Sequence, residues 1–179
     1  MKSIIILLSF LCFTQLVKAQ EYITGLATAW SDSFSEWVIY TDDEEVEGEL
    51  RMKWRDDWTD WDYRLGEETG RIKLKWNNNP NEWELRGGND IVTARTLWNN
   101  NFREWRITSN SKQVTLRSKY GNTFDQWEIT GSVGTLDIYT AWEGDPREWN
   151  IDDYMDEDIG LPMKMAIIFI ATYHSSPKQ

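Results

Sequence analysis

The sequence predicts an all-β fold with one C-terminal helix: a closed antiparallel barrel of twelve strands, built from six hairpin repeats and filled by an apolar α-helix. Three observations predict this fold. An eight-residue aromatic unit occurs six times, apolar and polar residues alternate on both sides of each unit, and the chain ends with an apolar run of helical character. Together they imply short strands wrapped around one enclosed helix.

The repeated unit consists of Trp, six residues and a second Trp, numbered here as positions one to eight. Successive units start 24, 22, 22, 22 and 22 residues apart, and the fifth has Tyr in place of the first Trp. Regular self-similarity of this kind is the signature of a repeat architecture. The six units are residues 30–37, 54–61, 76–83, 98–105, 120–127 and 142–149.

Each unit predicts a β-hairpin. Position three is Asp, Asn or Gly in every copy, which is typical of a turn. Residues 72–76 before one unit and 83–86 after it alternate between apolar and polar, and such alternation on both sides of a turn indicates two paired strands. Because both Trp of a unit fall in phase with Leu and Ile, we expect them to face each other and to lie mostly in the core.

This pairing predicts a register for the sheet. Residues that flank the facing Trp would form opposite-charge pairs across neighbouring strands, as cross-strand neighbours prefer. The pairs are Lys53 with Asp62, Lys75 with Glu84, and Lys119 with Glu128. The inward face would hold Leu50, Met52, Trp54, Tyr63, Ile72, Leu74, Leu85, Ile107, Leu116, Ile129, Leu136, Ile138 and Ile151. A slip by one residue would invert the two faces, so the face that each residue presents is strongly specified.

The C-terminal run Pro162–Tyr173 predicts the helix that fills the barrel. Proline suits the first helical turn, and the acidic residues 156–158 precede it on the side that favours negative charge. The run is apolar on all sides, so it should be enclosed, and it is shorter than the roughly 20 residues that span a bilayer. Its length of about 18 Å matches strands of about six residues. We expect Lys164 to reach solvent at the barrel mouth.

Two other architectures fit part of the pattern. An outer-membrane barrel needs longer strands with apolar residues outside, whereas here the outward positions carry many Arg, Lys and Glu residues, so this alternative is disfavoured. An open solenoid of stacked hairpins, with the helix as its cap, would also give a 22-residue period.

The first 19 residues have the pattern of a signal peptide. Lys2 precedes an apolar stretch, and Val17-Lys18-Ala19 resembles a cleavage site, so we expect export to the periplasm or the extracellular space. The single domain would be residues 20–179, with strands over about 22–153 and the helix over about 160–174. No transmembrane segment is expected in it. Cys12 lies inside the signal, so the mature chain has no disulfide.

The mature chain is strongly acidic. Removing the signal takes away Lys2 and Lys18, so 17 of the 19 basic residues remain against 30 acidic ones and the formal charge is −13. Such a charge repels nucleic acid and anionic membranes. The acidic runs 42–45 and 152–153 are interpreted as solvated loops.

Six Trp units followed by the helix of residues 161–173 resemble the plan of the tubby-like superfamily, which includes tubby C-terminal domains, LURP-one-related proteins and phospholipid scramblases. The resemblance covers the mature chain as architecture, and no family motif transfers residue by residue. The sequence is also similar to small exported Trp-rich bacterial proteins with no assigned activity. The superfamily's phosphoinositide binding and roles in lipid movement are not carried over, because this chain is acidic and has no basic phosphate-binding cluster.

The sequence argues against an enzyme and against a cofactor. The mature chain has no Cys, and its one histidine, His174, falls at the end of the predicted helix, where we interpret it as a frayed or polar end. There is no phosphate-binding loop and no His/Cys metal spacing. A pair of carboxylates acting on glycosidic bonds remains an alternative, although no pair stands out.

Binding is the favoured class of function: a non-enzymatic binding or structural module whose partner is a glycan or a cell-surface protein. For Ca²⁺, the weak candidate ligands at the turns are Asp32, Asp56, Asp57, Asp60 and Asp145. For glycan or cell-wall binding, the rings expected to be most exposed are those at position five: Phe34, Trp58, Phe102 and Phe124. These rings could instead cover the hairpin ends.

Overall fold

The computed structural model describes residues 22–110 and 112–178, which form twelve strands and one helix. The predicted signal peptide lies outside the described residues. The strands are β1 (Ile23–Trp30), β2 (Ser33–Thr41), β3 (Glu47–Met52), β4 (Asp60–Leu65), β5 (Glu68–Leu74), β6 (Glu82–Gly87), β7 (Asp90–Thr96), β8 (Glu104–Ser109), β9 (Lys112–Ser118), β10 (Gln126–Thr130), β11 (Gly134–Trp142) and β12 (Asp145–Met155). The helix α1 is Leu161–Ser175.

The strands form one closed antiparallel barrel in which each strand pairs with the next along the chain. The barrel closes between β1 and β12, where Leu26 lies opposite Trp149. Closure leaves no free sheet edge, which removes the hazard of edge-to-edge aggregation. The predicted twelve-stranded barrel is confirmed, and the open solenoid is wrong.

Helix α1 runs through the barrel, and every residue from Pro162 to Thr172 is buried. It begins after Gly160, with proline in the first turn as predicted, and it packs closest to strands β5 to β8. Over the described part of the chain, no helix has the length and apolar content needed to cross a membrane.

Two glycines make room for a large ring inside the wall. The Tyr63 side chain on β4 lies across Gly70 on β5 and Gly87 on β6, and a Cβ atom at either glycine would collide with it. Tyr63 is buried, and burial raises the pKa of its phenol. Because neither glycine has a side chain, the Tyr63 ring can occupy the space next to both of them.

The predicted exposure of Lys164 is wrong. Its Nζ lies 2.6 Å from Asp153 Oδ2, and the two side chains are only 3% and 1% exposed. Asp153 belongs to β12 rather than to a solvated loop, which corrects the interpretation of the 152–153 run. A buried charge needs a partner of opposite sign, so this ion pair fixes the start of the helix against the last strand.

The predicted register is wrong by two residues. Trp61 lies opposite Met52, and Trp83 lies opposite Leu74, so the first aromatic residue of these units stands beyond the paired strands. In the first and sixth units that residue ends strand β1 or β11. A shift of two residues keeps every strand face unchanged, and the alternation of apolar and polar faces is as predicted. The three predicted pairs are replaced: Lys53 is opposite Asp60, Lys75 is opposite Glu82, and Lys119 is opposite Gln126. Lys53 Nζ still reaches Asp62 diagonally, at 3.3 Å.

Candidate functional site: a belt of aromatic turns

All six Trp units form the connections at one end of the barrel. Each unit joins an odd-numbered strand to the next even-numbered one. The C-terminal end of helix α1 lies at the same end of the barrel. Ser175 there accepts a hydrogen bond from the Trp127 indole at 3.1 Å. The six turns therefore form a continuous belt around the end of the helix.

The aromatic residues at position one project from this belt into solvent. Their exposure ranges from 50% to 67%. We call them the outer aromatics: Trp30, Trp54, Trp76, Trp98, Tyr120 and Trp142. The prediction that most of the Trp lie in the core is wrong for the five Trp among them, including Trp54. One large exposed aromatic ring therefore recurs in every repeat, at the same end of the barrel.

Several outer rings are held in place by the carboxylate at position seven of the same unit. The indole Nε1 of Trp30 donates to Glu36 at 2.9 Å, and that of Trp76 donates to Glu82 at 3.1 Å. Trp142 repeats the contact in the sixth unit, at 3.2 Å. Each of these rings has its polar edge satisfied, and Lys75 Nζ also lies over the Trp76 ring, 5.9 Å from its centroid.

The carboxylate of Glu82 is also held by a cation. Lys75 Nζ lies 2.7 Å from Glu82 Oε1. The hydrogen bond from Lys75 is the largest of the effects that lower the pKa of Glu82. Burial opposes it to a smaller extent, and the Trp76 hydrogen bond and the charges of Lys75 and Arg95 lower the pKa further. The acceptor of the Trp76 indole therefore stays ionised at neutral pH.

The backbone of the turn explains why position one leaves the sheet in the second, third and fourth units. In three units the position-four N–H donates to the position-one carbonyl, for example from Asn79 to Trp76 at 3.1 Å. Position three then takes a positive φ in four units: Asp56, Asn78, Asn100 and Gly144. The Asx hydrogen bond is made by position four and not by position three. In the third unit Asn79 Oδ1 accepts from the Asn81 N–H at 3.2 Å.

The Trp at position eight points the opposite way. All six are at most 2% exposed, and we call them the inner tryptophans: Trp37, Trp61, Trp83, Trp105, Trp127 and Trp149. In five units the indole donates to the carbonyl of position five, as from Trp105 to Phe102 at 2.9 Å. Trp83 is the exception, since its Nε1 has no hydrogen-bond partner among the described residues.

Position six connects each of the second to fifth turns to the next turn along the chain. The Leu74 N–H donates to the Thr59 carbonyl at 2.8 Å, and the same bond recurs at the next three boundaries. Side chains reinforce it: Arg103 donates to the carbonyls of Tyr120 and Thr123, at 3.0 and 2.8 Å. These bonds hold neighbouring outer aromatics at a fixed separation.

The predicted glycan-contacting rings at position five lie between the two aromatic sets. Phe34, Trp58, Phe102 and Phe124 are partly buried and pack against the core. Phe124, for example, stacks on Trp127 at 5.5 Å between ring centroids. Their remaining exposure leaves them open as ligand contacts, but the outer aromatics are the more exposed set.

The structure gives most of the predicted Ca²⁺ ligands other partners. Asp60 is buried against Arg71, and hydrogen bonds from Thr59 lower the pKa of Asp57. Asp145 binds Arg147, while Asp32 and Asp56 are exposed. Within residues 22–110 and 112–178, no three acidic, His or Cys side chains come close enough to hold a metal ion.

The end of the helix contributes His174 to this region. Its ring stacks on Phe102 at 4.8 Å and lies 4.9 Å from Trp105, so the predicted frayed helix end is wrong. Burial, with a smaller effect from nearby Lys178, lowers the pKa of His174 to about 3. The imidazole is therefore neutral at physiological pH and serves as an aromatic packing group.

Sequence reasoning missed the outer aromatics as the exposed set. The acceptor at position seven is the signal that could have identified them, because Glu occurs there in four of the six units. No family model, no curated protein and no solved structure matches this chain. The function therefore rests on the geometry of the aromatic belt alone.

Proposed function

We propose that this protein is an exported, non-enzymatic binding module that holds a glycan across its outer aromatics. The single observation that carries the proposal is the recurrence of one exposed aromatic ring in each of six linked turns at the same end of the barrel. The C–H faces of sugar rings stack on flat aromatic faces, and a repeated ligand suits a repeated platform.

The isolation of the rings favours a glycan over a cation. An aromatic cage for a quaternary ammonium group needs several rings around one charge. In the described part of the chain, none of the six outer aromatics pairs with another ring. Adjacent turns are two strands apart, or roughly 10 Å, which is about the length of a disaccharide in an extended chain.

The polar side chains of the turns suit sugar hydroxyls. Beside the outer aromatics stand exposed amides and carboxylates, which can accept or donate hydrogen bonds. They include Asp32, Asp56, Asn77, Asn78, Asn99, Asn100, Asn122 and Glu143. Several weak ring contacts to one polymer would add through effective concentration, so binding should strengthen with chain length.

The resemblance to tubby-like proteins extends only to the architecture of twelve strands and a central helix. A cell-surface protein is the alternative partner, because exposed aromatic surfaces also mark protein interfaces. An affinity that rises with oligosaccharide length would indicate a glycan rather than a protein partner. A bound protein partner would not be displaced by glycan chains.

The test is a glycan array followed by titration of the mature chain with the best oligosaccharide, read by Trp fluorescence. Replacing Trp98 by Ala should weaken binding at least several-fold and leave the melting temperature unchanged. Tyr154→Ala is the matched control, because Tyr154 is 73% exposed but stands at the other end of the barrel. Equal affinity of the Trp98→Ala variant and the parent protein would exclude the outer aromatics as the site.

A further inference from the structure

We propose that the belt contains one subsite for an anionic sugar residue, held by Arg95 and Arg106 between the third and fourth turns. The inference rests on the proposed glycan binding and names the chemical class of the ligand. It comes from a cavity, a preorganised polar floor and two arginines that lie opposite each other, which occur together at this boundary.

A cavity of about 350 Å³ lies between these two turns. Its lining includes Asn79, Asn99, Arg95 and Arg106, together with Glu82, which binds the Trp76 indole. Asn99 directly follows Trp98 in the chain. The cavity is therefore next to two outer aromatics, and a sugar stacked on either ring could place a substituent in it.

The floor of the cavity is a fixed network centred on Asn81, which is 9% exposed. Its Oδ1 accepts from Thr96 Oγ1 at 3.1 Å and from the Asn100 N–H at 2.6 Å. Its Nδ2 donates to Asn79 at 3.0 Å and to Asn100 at 3.2 Å. Every polar atom of this amide is satisfied, so the cavity is already shaped before a ligand arrives.

The charge of the cavity is positive on one side. Arg95 on β7 lies directly opposite Arg106 on β8, and like charges in this arrangement repel. Arg106 has Thr115 as its other cross-strand neighbour. Among the described residues, neither guanidinium forms an ion pair with a carboxylate.

The acidic residue that could compensate Arg95 is already engaged. Glu82 lies opposite Arg95, but its carboxylate binds Lys75 and the Trp76 indole. An incoming carboxylate or sulfate would therefore relieve the repulsion between the two arginines, and guanidinium groups bind such anions through paired N–H donors.

The neighbouring Arg117 provides a contrast. It lies on β9 with Glu104 opposite it on one side and Glu128 opposite it on the other. Arg117 and Arg106 are therefore both exposed arginines of the barrel wall, but only Arg106 has no acidic cross-strand neighbour. The two residues form a matched pair for a charge test.

The experiment compares acidic and neutral oligosaccharides on the mature chain. Oligogalacturonate, a sulfated oligosaccharide and a methyl-esterified oligogalacturonate would be titrated against the parent protein, Arg106→Gln and Arg117→Gln. Arg106→Gln should weaken at least one anionic ligand by about tenfold, since it removes charge-assisted hydrogen bonds, and should leave the neutral ligand unchanged. An anionic preference that is absent, or that survives Arg106→Gln, would overturn the inference.

A second measurement separates this inference from the proposed function. Millimolar sulfate or galacturonate, against chloride at equal ionic strength, should raise the melting temperature of the parent and of Arg117→Gln but not that of Arg106→Gln. This readout does not need the outer aromatics. A shift in melting temperature without any oligosaccharide binding would support the anion subsite and exclude the glycan function. Binding of a neutral glycan without the shift would support the glycan function and exclude the anion subsite.

Discussion

The outer aromatics and the inner tryptophans belong to the same repeats but face opposite environments. Trp98 is 67% exposed, whereas Trp105, at the other end of the same unit, is fully buried. The difference comes from the backbone between them. A turn that starts at position one turns its ring away from the sheet, and the strand that resumes before position eight points that ring inward.

The two sets are also held by different partners. The outer rings of Trp30, Trp76 and Trp142 donate to carboxylate side chains, whereas five inner indoles donate to backbone carbonyls at position five. A backbone acceptor is present whatever the sequence, so the inner set is tied to the fold. The outer set depends on a side chain and can be adjusted without disturbing the barrel.

The largest expected effect comes from removing the packing partner of the inner set. A chain that ends at Asp158 lacks α1, whose Phe169 lies 5.6 Å from Trp61 and 4.9 Å from Trp83. Without the helix the inner tryptophans would line an empty space. The free-energy cost of a cavity of that size exceeds the free energy of unfolding of an ordinary domain. Cooperative thermal unfolding, followed by circular dichroism, should be lost.

A chain that ends at Ser176 is the control for this deletion, because it keeps the whole helix and should melt cooperatively. If the chain ending at Asp158 melts at the temperature of the intact protein, the helix is not what supports the inner set. The barrel wall alone would then carry the stability.

Alanine substitutions compare the two sets directly. Trp105→Ala should lower the free energy of unfolding by about 3–5 kcal/mol, because it leaves a cavity in a packed core. Trp98→Ala should change it by no more than about 0.5 kcal/mol, as exposed substitutions usually do. Urea unfolding of both variants checks this, and similar losses would mean that the outer rings also support the fold.

The pH dependence of stability tests the contact between the helix end and the inner set. His174 has a pKa of about 3 in the folded protein, whereas an unfolded His titrates near pH 6.5. Because the folded-state pKa is the lower one, the unfolded chain takes up the proton first as the pH falls. Stability should therefore decrease between about pH 6.5 and pH 3, by about 1.4 kcal/mol per pH unit at most.

His174→Phe isolates this contribution, since Phe can keep the stack on Phe102 and Trp105 but cannot be protonated. The carboxylates titrate alike in both proteins, so the difference between their unfolding free energies from pH 7 to 4.5 reports the histidine. Parallel pH profiles would show that the imidazole is accessible to protons in the folded state.

Most of the architecture was predictable because it follows from regular patterns in the sequence. The 22-residue repeat predicted the hairpins, and the evenly apolar run predicted an enclosed helix over about 160–174, which is Leu161–Ser175 in the structure. The register was not predictable to two residues, since a shift of two preserves both strand faces. It depends on where each turn begins, and the positive φ of residues such as Asn78 decides this.

The candidate site was harder to predict for the same reason. The alternation of the strand predicts that Trp76 lies with Leu74 in the core, and it carries no sign of the contact with Glu82. Long-range partners were out of reach as well. A lone Lys164 suggested a barrel mouth, and only the fold places Asp153 beside it.

The smallest expected effect lies within the inner set. Trp83→Phe removes an indole N–H that has no partner among the described residues, and it retains a ring to pack against Phe169 and Tyr173. Trp105→Phe removes a hydrogen bond and leaves the Phe102 carbonyl without its donor. Since unmet buried groups are costly, Trp105→Phe should destabilise by about 1–2 kcal/mol more than Trp83→Phe.

Urea midpoints of the two Phe variants decide this comparison, because both delete the same atoms from equally buried sites. The difference isolates the hydrogen bond to position five from the packing of the ring. If Trp83→Phe proves as costly as Trp105→Phe, the Trp83 indole has a partner in solution, and the third turn holds its inner ring as firmly as the other five. If it is nearly neutral, packing against the helix suffices to seat an inner tryptophan, and the backbone bond in the other turns adds stability beyond that packing.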